Sequence, residues 1–434
     1  MRTVAFHTLG CKVNQYETEA ITELFEREGY EVVDFESMAD VYVINTCTVT
    51  NLSDRKSRQM IRRAKKNNEN GIIVVAGCYA QTAPEEVSKI PGVNLIIGTK
   101  ERSKIIEYIK EIEVGQQAVN VVEDIMGARY FEQLNVDTYK ERTRAFLKIQ
   151  EGCSQFCSYC IIPYARGPIR SRKPEDVLEE VKRMAESGFK EIVLTGIHVA
   201  SYGKDLKTTS LLDIIQRVHL IDGIERIRLG SIEPTSITQE FVKAAKELHK
   251  LCPHYHISLQ SGCDKTLKRM NRKYNSEEYR NGVNLLRQNI RDVSITTDVM
   301  VGFPGETEEE FNETYNFLKE INLTQMHIFK FSPRKGTPAA AYEDQVASEK
   351  KDYRSNLLIT LSRENTINFN RRYIGKVVQV LIEQEVKDKK GFVEGITPNY
   401  MRVLCDGSGN LKGEIMNVEI LGIEEDYCIG KSIK

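Results

Sequence analysis

Three cysteines, Cys153, Cys157 and Cys160, stand within one short run, Glu151-Gly-Cys-Ser-Gln-Phe-Cys-Ser-Tyr-Cys-Ile-Ile-Pro163, and they set what the middle of the chain can hold. A C-x3-C-x2-C loop offers three thiolates and no fourth. That suits three corners of a cubane iron–sulfur cluster whose last iron stays open to another ligand. Two other readings fit the same spacing: a zinc ribbon short of its fourth ligand, and a chance grouping of thiols in a chain with 10 cysteines.

With 434 residues the chain has room for about three domains and can bury real cores. Hydrophobic residues at 41%, charged residues at 28% and a formal net charge of −1 place it among ordinary globular proteins rather than disordered or fibrous ones. No stretch is expected to span a membrane. The opening Met1-Arg-Thr-Val-Ala-Phe-His-Thr-Leu-Gly10 is too broken for a secretory apolar region, which makes a cytoplasmic location the expectation. In that reducing compartment clustered cysteines bind metal or do redox chemistry rather than form disulfides.

The first stretch alternates short apolar runs (Val4-Ala-Phe6, Val41–Ile44, Ile72–Val75, Val93–Ile97) with helical patterns such as Glu17–Glu28, which predicts a parallel α/β sheet over residues 1–115. Residues 116–143 lose the rhythm and read as a connection. Six strand candidates follow in residues 144–370: Ala145–Ile149, Glu191–Leu194, Arg226–Leu229, His256–Leu259, Ser294–Val301 and Gln325–Phe331. Helical runs separate them, one entering at Pro174 and another at the Thr307-Glu-Glu-Glu310 capping box. Six βα repeats suit a partial barrel, a (βα)6 arrangement with an open side. After an amphipathic stretch from Ser348 to Arg372, residues 371–434 carry β-rich runs parted by Gly and Asp-Gly turns, which predicts a small all-β barrel. No phosphate loop is present, and Gly430-Lys-Ser432 lacks the earlier glycine such a loop needs.

A second cysteine trio shares one design. Cys11, Cys47 and Cys78 each follow an apolar strand candidate, in Leu9-Gly-Cys11, Asn45-Thr-Cys47 and Ala76-Gly-Cys78. Such positions gather at the carboxyl edge of a parallel sheet, where ligands bind. Taken singly, each is as well explained as a small core residue. Cys252, Cys263, Cys405 and Cys428 have no partner spacing and read as core.

Leu9-Gly-Cys-Lys-Val-Asn-Gln-Tyr16, Asn45-Thr-Cys-Thr-Val49, Ala76-Gly-Cys-Tyr-Ala-Gln81, the Cys153–Cys160 loop, Arg166-Gly-Pro-Ile-Arg-Ser-Arg172 and Asp298-Val-Met-Val-Gly-Phe-Pro-Gly-Glu-Thr307 together resemble the radical S-adenosylmethionine (radical-SAM) methylthiotransferase family. The resemblance implies two 4Fe-4S clusters, one on Cys153, Cys157 and Cys160 with S-adenosylmethionine at its open iron, and one on Cys11, Cys47 and Cys78. It implies a radical-SAM partial barrel and a C-terminal barrel of the TRAM kind. Tyr159, Gly196, Gln260 and Ser261 fall where the family binds S-adenosylmethionine. The implied substrate is a tRNA adenosine beside the anticodon or an aspartate of a ribosomal protein. The start Thr8–Thr18 is most similar to members acting on N6-threonylcarbamoyladenosine in tRNA. An electron donor such as flavodoxin or ferredoxin is implied, and the sulfur donor is left open.

Contact with RNA calls for local positive charge. Three groups qualify: Arg55, Arg58, Arg62 and Lys65 at helical spacing; Arg166, Arg170, Arg172 and Lys173; and Lys268, Arg269, Arg272 and Lys273. Each reads equally well as a solvated face. From another class, the chain fits a zinc- and RNA-binding protein, or a dithiol oxidoreductase using Cys157 and Cys160.

Overall fold

The computed structural model describes residues 2–114, 118–134, 143–387, 389–407 and 410–433. The first unit is a six-stranded sheet of β1 (Thr3–Thr8), β2 (Glu31–Val33), β3 (Val41–Thr46), β4 (Ile72–Gly77), β5 (Val93–Ile97) and β6 (Val119–Asn120), in the order β2-β1-β3-β4-β5-β6. Every pairing is parallel. β3 is buried along its whole length, as a continuous apolar run must be when helices cover both faces of a sheet. Helices α1 (Lys12–Arg27), α2 (Asn51–Asn67) and α3 (Cys78–Thr82) leave the carboxyl ends of β1, β3 and β4.

In the second unit β7 (Arg144–Glu151), β8 (Arg170–Ser171), β9 (Glu191–Gly196) and β10 (Arg226–Leu229) form one sheet, ordered β10-β9-β7-β8. A second sheet holds β11 (His254–His256), β12 (Ser294–Val301) and β13 (Gln325–Lys330). Parallel bridges Ile227↔Leu251 and Ile232↔Ile257 join the two across β10 and β11. The result is a curved wall of six parallel strands, open between β13 and the short antiparallel β8, as six repeats require. The fourth strand begins two residues before the expected His256 and continues as isolated bridges at Ile257 and Gln260. The capping box at Thr307 forms, with Glu310 returning its side chain to the Thr307 backbone.

The helix Ser348–Arg371 leads into a closed barrel of β14 (Val377–Glu385), β15 (Phe392–Ile396), β16 (Arg402–Asp406), β17 (Ile415–Glu424) and β18 (Tyr427–Ile433). The protein is thus an α/β chain with a parallel-sheet domain, a partial barrel and a small all-β barrel.

The stretch read as a connection does more than connect. It supplies β6 to the first sheet, Glu132 to Arg102 of the first unit, and Leu134 to the hydrophobic core of the second. Tyr16 and Ala20 of α1 lie in that same core, and the Tyr16 hydroxyl donates to the Leu134 carbonyl at 2.6 Å. The first two units therefore share one packed interior. Among the described residues, no helix is long and apolar enough to cross a membrane.

Candidate active site

Because β1, β3 and β4 are neighbours in the sheet, the loops that follow them lie side by side and carry Cys11, Cys47 and Cys78 together. Asn14 ties the first two loops, donating to the Leu9 carbonyl at 2.7 Å and the Thr46 carbonyl at 3.0 Å. Gly10 keeps the intervening space clear: its φ is +104°, and a Cβ there would stand 2.9 Å from the Cys47 Cβ and 3.0 Å from its sulfur. Cys78 opens α3, and the Arg166 Nε–H donates to its sulfur at 3.1 Å.

Arg166 belongs to a closed ionic cluster. It also reaches Glu17 at 2.5 Å, Glu151 at 3.1 Å and the Asn14 side chain at 2.6 Å. Glu17 in turn pairs with Arg102 at 2.6 Å and Lys148 at 2.7 Å. All these groups are buried. Burial opposes the Glu17 charge, yet Arg102, Arg166 and Lys148 hold its carboxyl well below the usual range. This corrects the reading of Arg166, Arg170 and Arg172 as an RNA-facing group. Arg166 and Arg170 are inside the protein, Arg172 is paired with Glu180 at 2.5 Å, and Lys173 alone of the four is exposed.

The Cys153–Cys160 loop leaves the end of β7. Gly152, at φ +75°, makes the turn where a Cβ would collide with the Pro168 carbonyl at 1.9 Å. Ser158 anchors the loop, its N–H to the Met270 carbonyl at 3.0 Å and its hydroxyl to the Arg269 carbonyl at 2.8 Å. Arg272 donates to the Cys157 sulfur at 3.2 Å while pairing with Glu233 at 3.1 Å. Each trio thus has one arginine N–H aimed at one of its sulfurs, the hydrogen bonding that stabilises anionic cluster thiolates.

One cavity of about 1220 Å³ joins these parts, lined by Cys11, Cys153, Cys157, Cys160, Tyr159 and Gly196 among others. Gly196 packs so closely on Gln150 that a Cβ would come within 2.9 Å of it. Ser261 is placed elsewhere: fully buried, its hydroxyl 3.0 Å from that of Thr314, it braces the helix Glu308–Ile321. Gln260 sits at φ +72° and bonds through its backbone to Asp298 and Met300, outside the cavity lining. His198, Ser231 and Glu233 also line the wall. Glu233 organises it, receiving Gln155 at 3.0 Å and standing 3.1 Å from His198 Nε2. The signal was a carboxylate just beyond a barrel strand, in Ser231-Ile-Glu-Pro234.

The donor set fits cubane clusters better than a single ion. Among the described residues no three His, Cys, Asp or Glu side chains are gathered to hold one metal ion, whereas a cubane's ligands attach to separate irons and stand further apart. Burial pushes the Cys160 thiol up to about 12 and the Cys153 thiol up to about 11.

A partial parallel barrel with three thiols in the loop after its first strand is the architecture of radical-SAM enzymes. Residues 147–318 match the Radical SAM superfamily, and residues 3–98 match a family described as Uncharacterized protein family UPF0004. The threonylcarbamoyladenosine tRNA methylthiotransferase MtaB of Bacillus subtilis is 47% identical over 100% of this chain and 97% of its own length. That of Aquifex aeolicus is 41% identical over 93% of this chain and 97% of its own. The tRNA-2-methylthio-N(6)-dimethylallyladenosine synthase of Clostridium tetani is 38% identical over 96% and 93%. Among solved structures, the radical S-adenosylmethionine methyltransferase TsrM from Kitasatospora setae shares the fold, with a TM-score of 0.60 at 17% identity over 78% of this chain and 75% of that one. The chain belongs to the radical-SAM methylthiotransferase family. It is an enzyme that uses S-adenosylmethionine and a 4Fe-4S cluster.

Proposed function

We propose that the protein replaces the C2 hydrogen of N6-threonylcarbamoyladenosine at position 37 of a tRNA with a methylthio group, in two steps that each use S-adenosylmethionine. The observation that carries this reading is the shared cavity. Cys11, of the trio at the sheet edge, opens on the same space as Cys153, Cys157 and Cys160. A sulfur source and a radical source can therefore face one substrate atom.

Cys153, Cys157 and Cys160 would hold one cluster, and Cys11, Cys47 and Cys78 a second. With S-adenosylmethionine bound, the first supplies a reductively generated 5′-deoxyadenosyl radical, which an adenine C2–H demands because acid–base catalysis cannot activate it. The chain's own residues arrange the encounter. Arg272 and Glu233 fix the loop that carries Cys157, while Tyr159 and Gly196 shape the wall where the cofactor would lie. Arg166 and Asn14 lock the Cys11, Cys47 and Cys78 loops onto the barrel. Phe329, half exposed on β13, offers a face on which an unstacked base can rest at the cavity mouth. Arg55 and Arg62 on α2 and Lys268 and Lys273 beside the cluster loop are exposed and suit phosphate contacts. An external one-electron donor such as flavodoxin or ferredoxin would reduce the cluster.

The test is nucleoside mass spectrometry. Anaerobically reconstituted enzyme, incubated with tRNA carrying threonylcarbamoyladenosine, a reductant, sulfide and S-adenosylmethionine, should yield the 2-methylthio nucleoside. Product from isopentenyladenosine tRNA alone would overturn the substrate, and no methylthio product from either tRNA would overturn the reaction.

A further inference from the structure

Lys12 follows Cys11 at the start of α1 and lines the central cavity. The other cations of that wall are spent: Arg144 on Glu383 at 2.8 Å, Arg228 on Glu191 at 2.7 Å, and Arg272 on Glu233 at 3.1 Å. Its acids are spent too. Arg402 holds Glu394 at 2.6 Å, and His256 stands 3.3 Å from Asp298. Among the described residues Lys12 makes no hydrogen bond or ion pair; its ammonium stands 5.6 Å from the Phe146 ring centroid, and against the effect of burial it acts with Arg144 and Arg228 to draw the Tyr400 phenol below its ordinary value. Lys12 therefore stands exposed on the cavity wall with no acid of the chain to pair with it, and an ammonium so placed can receive an anionic group of a molecule entering the cavity.

The substrate proposed above, on which this inference rests, carries such a group. In adenine, C2 and the exocyclic N6 both flank N1, so a sulfur delivered to C2 from beside Cys11 leaves the N6 substituent within reach of the next side chain. We infer that Lys12 pairs with the carboxylate of the N6-threonylcarbamoyl group, and that this pairing selects an acidic N6 substituent over an uncharged isopentenyl one. Lys12 is thus a specificity residue. Tyr400, on the same wall, brings the C-terminal barrel to this point: its ring stacks on His254 at 4.4 Å and lies under Arg228 at 4.9 Å.

The experiment uses the holoenzyme and two anticodon stem-loops, one with the free threonylcarbamoyl carboxylate and one with the same group as its methyl ester. Wild type should favour the acid by about tenfold to a hundredfold in kcat/KM, the range for a hydrogen-bonded charge pair. Lys12→Met should erase that preference through a raised KM on the acid with kcat nearly kept, and Lys12→Arg should restore it. Iron content and S-adenosylmethionine cleavage without RNA report any damage to the neighbouring cysteine. If Lys12→Met loses iron, the wild-type comparison and the Arg variant still decide. Wild type that treats acid and ester alike, or a folded Lys12→Met enzyme that keeps the preference, overturns the inference. Wild type inactive on both but active on isopentenyladenosine refutes the proposed substrate instead.

Discussion

Glu17 shows how one side chain can hold two domains in register. Its carboxylate lies between Arg102, Lys148 and Arg166, none of them exposed, and Arg166 passes the contact on to the sulfur of Cys78. Removing one member of a buried ion cluster leaves the others charged and unsolvated, which costs about 3–5 kcal/mol. Glu17→Ala should lower the unfolding free energy by that amount, read as a lower urea midpoint at unchanged slope. It should also release iron from the Cys11, Cys47 and Cys78 site more readily than from the Cys153 loop, measured with a chelator. Equal release from both sites would show that Arg166 does not support the first trio. The sequence spacing of Arg166, Arg170 and Arg172 resembles a phosphate-binding cluster because their partners, such as Glu17 and Glu180, are not beside them in the chain. Charge is legible in a sequence; the tertiary pairing that buries it is not.

Among the elements, α2 carries the clearest RNA-facing charge. Arg55 and Arg62 are exposed, whereas Arg58 spends a nitrogen on the Tyr79 hydroxyl at 3.1 Å and Lys65 bonds to the Glu69 carbonyl. Arg55→Gln combined with Arg62→Gln should weaken tRNA binding and reduce the slope of log K against log salt by about 1.5 to 2, with stability unchanged. An unaltered slope would place the RNA elsewhere. The three strand-end cysteines were readable because a parallel strand announces itself as an apolar run, and the residue after it must lie at the carboxyl edge. The adjacency of β1, β3 and β4 was not readable, since strand order depends on packing rather than on local pattern. The same limit applies to Ser261: a polar residue after a strand can face the cavity or the surrounding helices, and here Thr314 claims it.

The whole molecule brings three units to one cavity, the sheet through Cys11 and Lys12, the barrel through Cys153 to Cys160, and the C-terminal barrel through Tyr400. The last contact has a pH signature. Burial, aided by Arg228 and His256, holds the His254 pKa well below its ordinary 6.5, and burial lowers that of His327. The unfolded chain gains these protons below about pH 6.5 while the folded one resists them. Stability is therefore full above that pH and falls as the pH drops, by up to about 1.4 kcal/mol per unit for each group. Urea midpoints at pH 7.5 and 5.5 should differ accordingly, and His254→Phe, which keeps a ring against Tyr400, should flatten the difference; an unchanged pH profile would mean that His254 is free to protonate in place. The account as a whole rests on two cysteine trios doing different jobs across one space. The measurement that meets it directly is iron content together with 5′-deoxyadenosine and methylthio-nucleoside yields, taken under strict anaerobiosis for wild type, Cys153→Ala and Cys47→Ala. Wild type should bind about eight irons and each variant about four; Cys153→Ala should make neither product, and Cys47→Ala should still release 5′-deoxyadenosine but form no methylthio nucleoside. A wild type with four irons or none, or a Cys47→Ala enzyme that completes the reaction, would contradict it.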